Sequence, residues 1–105
     1  MTNRMCGGWS ETMDSDEEIQ HICDLVKPQV EKETGQDYVV YTALKYRSQV
    51  VNGVNYVIKV LVGEEECLHL RVYQRPRYNY DVQDPLPELK GVEQHNTRET
   101  PLVPF

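Results

Sequence analysis

Apolar residues recur at helical spacing early in the chain, at Ile19, Ile22, Cys23, Val26 and Val30. A stripe with this period predicts one amphipathic helix with a single buried face. Ser15 followed by Glu18 has capping-box spacing, and Asp16, Glu17 and Glu18 suit the positive end of a helix. Gly35 supplies a stop, with Lys32 near the C-terminal end, giving a helix of about five turns. Pro28 is the dissonant residue. It removes an amide donor and presses on the carbonyl of Asp24, so a kink is expected there.

From Tyr38 onward the texture changes to Val, Tyr and Thr, which is strand composition. Residues 38–48 read as a first long strand of mixed facing. Residues 54–62 alternate better, with Tyr56, Ile58, Val60 and Val62 on one side and Asn55 and Lys59 on the other. Residues 67–74 repeat this, with Leu68, Leu70 and Val72 against His69 and Arg71. Gly63-Glu64-Glu65-Glu66 forms the turn between them. Residues 75–87 contain Pro76, Pro85 and Pro87 and read as a long loop. A short last strand near 88–96 precedes a tail ending Pro101-Leu102-Val103-Pro104-Phe105. One helix and four antiparallel strands make an α+β domain. The helix stripe has only the sheet's apolar face to pack on, so the sheet should wrap around it. The expected core is Ile19, Ile22, Val26, Val30, Tyr56, Ile58, Val60, Leu68, Leu70 and Val72.

Between the first two strands lies Gln49-Val50-Val51-Asn52-Gly53. Asn-Gly is a strong hairpin signal, and both residues tolerate the positive φ that tight turns demand. Turn tips are normally polar, so valines there are out of place unless they are inserted elsewhere. In an antiparallel run the connections at 49–53 and after residue 74 fall at one end, and residues 63–66 at the other. Two loops therefore sit side by side, forming a wedge.

Composition narrows the partner class. A chain of 105 residues with a formal charge of -6 is one modest domain whose acidic surface repels nucleic acid and anionic membranes. No apolar run spans a membrane, and residues 1–12, rich in Gly and Ser, read as a leader without a signal-peptide pattern. Three cysteines, Cys6, Cys23 and Cys67, lack C-x-x-C spacing and fit reduced thiols. His21, His69 and His95 form no metal-ligand pattern, and no cofactor is expected. A Cys-His enzyme is disfavoured. Cys6 lies in a Gly-flanked leader, Cys23 on the core face of the helix, and Cys67 on the strand face opposite the core. Gly7-Gly8 is too short for a phosphate loop.

The pattern resembles the type 1 cystatins, or stefins, over nearly the whole chain. Met5-Cys6-Gly7 matches the stefin leader, and Gln49-Val50-Val51-Asn52-Gly53 matches the Q-x-V-x-G signature. Asn55-Tyr56, Ile58-Lys59-Val60 and His69-Leu70-Arg71-Val72 match further stefin-like stretches. The resemblance implies a cystatin fold over residues 1–105, a long helix gripped by a four- to five-stranded antiparallel sheet. It adds a short first strand near residues 9–13 and a flexible leader over 1–8. It also implies a reversible, non-covalent inhibitor of papain-like cysteine proteases of the cathepsin L, S, H and B class. The protease-binding residues would be Met5, Cys6 and Gly7, the tip Gln49, Val50, Val51, Asn52 and Gly53, and Pro76, Arg77 and Tyr78 of the second loop. The family's second loop carries a Leu-Pro pair. Here the aligned region is Gln74-Arg75-Pro76-Arg77, while Leu86-Pro87 offers the pair later. A cytoplasmic location, with the nucleus as a second, goes with that resemblance.

The competing reading is a non-inhibitory scaffold of the same fold. The long strands joined at 49–53 could exchange between protomers if the turn opened, converting a monomer into a swapped dimer. Cys6 offers a further, redox route to control. Tyr73 reads as surface packing, whereas Tyr78 and Tyr80 are rim candidates.

Overall fold

The computed structural model describes residues 8–78 and 83–105. Met5, Cys6, Gly7 and Tyr80 lie outside the described residues. Helix α1 spans Glu17–Thr34, and five strands follow the chain: β1 Met13–Asp14, β2 Thr42–Val51, β3 Gly53–Leu61, β4 Glu66–Gln74 and β5 Glu88–Thr97. They form one antiparallel sheet in the order β1-β2-β3-β4-β5. Because every neighbour in the sheet is also a neighbour in sequence, the β2–β3 and β4–β5 connections share one end.

The helix forms where its stripe predicts, and its residues Ile19, Ile22, Cys23, Val26 and Val30 are buried. Its cap is Asp16, not Ser15: the Asp16 carboxylate accepts from the Ile19 amide at 2.9 Å. Ser15 is spent otherwise, its amide donating to the Leu44 carbonyl at 3.0 Å, which ties the chain before the helix to β2. Gly35 ends the helix in the left-handed conformation, at φ 73°, and donates to the Glu31 carbonyl at 2.8 Å. Pro28 does not divide the helix. It lies on the exposed side, where the Asp24 carbonyl it deprives of a partner can turn to water. The resemblance placed a first strand near 9–13. The structure has instead a bridge at Trp9↔Gln49 and a two-residue strand at Met13–Asp14.

The concave face of the sheet buries Ile58, Val60, Leu68, Leu70 and Val72 against the helix. Cross-strand pairs Ile58↔Leu70 and Val60↔Leu68 set that register. Tyr56, expected in the core, is only half-buried at its edge. Tyr41 and Ala43 join the core instead, and the Tyr41 hydroxyl donates to the Cys23 carbonyl at 2.9 Å. Gln20 clamps the helix to the start of β2, donating to the Tyr41 carbonyl at 3.1 Å and accepting from the Ala43 amide at 2.8 Å. A register shift between Ala43 and Lys45, and two more between β4 and β5, are the kind of irregularity that bends a sheet.

The opposite face departs most from expectation. Lys59 and His69 do not meet water. They are buried together with Val57 and Cys67, beneath the C-terminal tail. Basic side chains of the sheet hold that tail by its carbonyls. Lys59 Nζ donates to Arg98 at 2.7 Å and also to Thr100; Arg47 Nη1 donates to Leu102 at 3.1 Å; Arg71 Nη1 donates to Phe105. Leu102 is buried, and a Cβ built on Gly91 would lie 3.2 Å from the Phe105 ring. A polar-looking strand face thus becomes a second, thin core once the cations find carbonyl acceptors.

His69 lies under this tail, opposite Lys59 across the β3–β4 pair, with Nε2 buried and unpaired. Glu93 on β5 faces its Nδ1 at 3.8 Å but is half exposed. Burial, and then the nearby Lys59 ammonium, push the imidazole down to about 4 from its ordinary 6.5. The unfolded chain therefore takes up this proton below 6.5, while the folded chain resists it until about 4. This contribution to stability is complete above pH 6.5 and is lost as pH falls toward 4. By pH 4.5 the loss should reach about 2–3 kcal/mol, at about 1.4 kcal/mol per pH unit. Urea denaturation of wild type and His69→Leu at neutral pH and near pH 4.5 checks it. The stability difference should shift against the wild type at the lower pH, and a constant difference would contradict the assignment.

Candidate protease-binding edge

The β2–β3 hairpin ends in the pairs Val50↔Val54 and Val51↔Gly53, leaving Asn52 alone at the apex. Gly53 has φ 108°, whereas Asn52 has no positive φ. The expectation that Asn52 also takes up positive φ is therefore corrected, and the turn is not of the type in which both central residues do. The glycine is obligatory on two counts. A Cβ there would lie 2.5 Å from the Gln74 carbonyl oxygen and 2.7 Å from the Tyr73 hydroxyl. Val50 is 60% exposed, and Val51 is half-buried. Gln49 is aligned by Asn55, whose Nδ2 donates to its Oε1 at 2.9 Å.

The leader reaches this tip from the edge of β2. The Ser10 amide donates to the Ser48 carbonyl at 2.7 Å, and the Ser48 amide donates to Ser10 Oγ at 3.0 Å. Arg47 Nε donates to the Ser10 carbonyl at 2.8 Å. Together with the antiparallel bridge Trp9↔Gln49, these bonds seat Trp9 and Ser10 along the edge of β2, beside the start of the tip.

The second loop stands on the other side. Gln74 Nε2 donates to the Pro85 carbonyl at 2.8 Å, closing the loop at its base, and Arg77 pairs with Asp84 farther out. Pro76 lies just beyond that base and is half-buried; Arg77 and Tyr78 are exposed. Pro87 is buried where β5 begins, so the later Leu86-Pro87 pair is split between an exposed leucine and an enclosed proline. Between the two loops and the first turns of α1 lies an open cleft of about 620 Å³, walled by Glu18, Ile22, Leu25, Val54, Tyr56 and Pro76 among others. The structure thus gathers Gln49–Gly53 and Pro76–Tyr78 at one end of the sheet. It also shows a participant the sequence reading set aside: Tyr73, whose hydroxyl donates to the Asn52 carbonyl. Its place three residues before Pro76, on the strand facing the tip, was the available signal.

Nucleophilic chemistry finds little support among the described residues. Burial pushes the Cys23 thiol up to about 12 and raises that of Cys67 as well. No group of His, Cys, Asp or Glu among them could hold a metal ion. No helix is long and apolar enough to cross a membrane.

Comparison with known proteins agrees with this architecture. The Cystatin domain family matches residues 7–98. The chain belongs to the cystatins. Cystatin-B of Oplegnathus fasciatus is 41% identical over 102 residues, covering 96% of this chain and 97% of that protein. Cystatin-B of Paralichthys olivaceus is 41% identical over 95 residues, covering 90% and 97%. Human Cystatin-B is 47% identical over 70 residues, covering 67% and 71%. These relatives place the chain among the type 1 cystatins, within a family of cysteine protease inhibitors.

Gly53→Ala should cost about 1–3 kcal/mol in urea denaturation, because φ strain and the clash with the Gln74 main chain add. Asn52→Ala, which keeps the carbonyl that Tyr73 binds, should cost less than about 0.5 kcal/mol. Equal effects would refute the claim that the main-chain geometry at Gly53 sets the tip.

Proposed function

We propose that this cystatin is a reversible, tight-binding, non-covalent inhibitor of papain-like cysteine proteases, and that it blocks the active-site cleft with three adjacent elements. Met5, Cys6 and Gly7 would occupy the non-primed side. Gln49–Gly53 and the loop bearing Pro76, Arg77 and Tyr78 would occupy the primed side. Cathepsins of the L, S, H and B class would be the partners, met in the cytoplasm and the nucleus by a monomer.

The observation that carries this reading is the tip itself: an exposed Val50 on a hairpin braced through Asn52 and Gly53, with the leader bridged to Gln49 beside it. A braced tip loses little conformational freedom on docking, and its valines leave water as they enter an apolar cleft. Gly7 would pass the catalytic thiolate with no side chain to crowd it. The leader could then cross the cleft without presenting a well-placed scissile carbonyl.

Titration of papain by the reduced monomer tests the proposal. Stoichiometric inhibition is expected, with Gly53→Glu weakening it by more than about a hundredfold, because a buried carboxylate and a distorted tip act together. No inhibition by the wild-type monomer would overturn the reading in favour of a scaffold of the same fold.

A further inference from the structure

We propose that Tyr73 is the positioning residue of the wedge: its phenol ties the first hairpin tip to the strand that leads into the second loop. The proposal rests on the reading of that tip as a protease-contacting element. Tyr73 lies on β4, paired with Asn55 of β3, and its hydroxyl donates to the main-chain carbonyl of Asn52. Asn52 is the apex of the hairpin, where the ladder has run out and strand pairing leaves this carbonyl no partner. The same ring lies against the bare α-carbon of Gly53. A Cβ there would be 2.7 Å from the hydroxyl and 3.0 Å from Cε1.

The next residue extends the tie. The Gln74 carbonyl flanks Gly53, and the Gln74 side chain holds the Pro85 carbonyl at the base of the second loop. One continuous set of contacts therefore runs from the apex of the first hairpin, through Tyr73 and Gln74, to the far side of the second loop. The two loops are held at a fixed separation by β4, rather than each being shaped alone. A tip that adopts its docking shape only part of the time binds more weakly in proportion to that fraction. The phenolic bond raises the fraction toward one. Gly53 is thereby given a second role, since any side chain at that position would displace the ring that braces the tip.

Tyr73→Phe isolates the bond, because it keeps the ring against Gly53 and removes only the donor. Papain inhibition and NMR backbone order parameters of Asn52 and Gly53 are measured for wild type, Tyr73→Phe and Tyr73→Leu, with urea midpoints alongside. Tyr73→Phe should weaken inhibition about threefold to tenfold, the range one net hydrogen bond supports. The order parameters at Asn52 and Gly53 should fall from about 0.85 toward about 0.6. The urea midpoint should fall by no more than that same threefold to tenfold factor allows, whereas a merely structural role would lower it while leaving inhibition and tip order unchanged. Tyr73→Leu should be worse in both tip readouts. Unchanged inhibition by Tyr73→Phe overturns the proposal. So does weakened inhibition with an equally rigid tip, which would make Tyr73 a direct contact. Should wild type itself not inhibit papain, the inhibitor reading fails separately. The order parameters then decide the brace alone: a fall on Tyr73→Phe supports it and no change overturns it.

Discussion

Burial of one helical stripe against one curved sheet is the constraint from which the rest of this molecule follows. Ile19, Ile22, Cys23, Val26 and Val30 have nowhere to go except the concave face lined by Ile58, Val60, Leu68, Leu70 and Val72. A flat sheet cannot cover a helix along its length, so the strands must bend, with register shifts at Ala43/Lys45, Cys67/His69 and Arg71/Val72. Gln20 and Tyr41 then fix the helix to β2 by hydrogen bonds that only one depth of packing satisfies. With that grip in place, the strand ends project beyond the helix. The loops at that end are free to be shaped for another molecule.

The elements themselves were legible because each carries a single dominant period. The 3.6-residue stripe located α1, and alternation in Tyr56–Val62 and Leu68–Val72 located β3 and β4 with bounds within one residue; β2, of mixed facing, was off by four residues at its start and three at its end. The cap was misread by one residue because Ser15 and Asp16 both have the chemistry for it. The choice was made by the amide of Ser15, which is engaged by Leu44 of β2. No local pattern reports a partner that distant.

The convex face was illegible for a related reason. Lys59, His69 and Arg71 read as solvent-facing because their side chains are polar, and alternation alone cannot say what lies above them. The burial of Lys59 and His69, and the partial cover of Arg71, depend on a tail roughly thirty to forty residues on in sequence, which supplies Leu102 and a series of carbonyls. At the candidate edge, Gln49–Gly53 stood out by its misplaced valines, whereas Tyr73 did not. An aromatic residue at the end of a strand has an ordinary explanation in packing, and only the close approach of its hydroxyl to Asn52 gives it another. Asn52, chosen for its tolerance of positive φ, contributes instead a carbonyl that any residue would provide.

The tail over the convex face is fastened by main-chain oxygens, and this has a bearing on inheritance. The acceptors at residues 98, 100 and 105 belong to the peptide backbone, which every amino acid carries. Any residue there would offer the carbonyl, so Lys59, Arg47 and Arg71 fasten the path of the chain rather than its side chains. Leu102 and Phe105 are the exceptions, because the Leu102 side chain is buried and the Phe105 ring lies against Gly91. A relative can therefore present other outward side chains at Arg98, Glu99, Pro101 and Val103, all exposed, without changing how the strap is fastened.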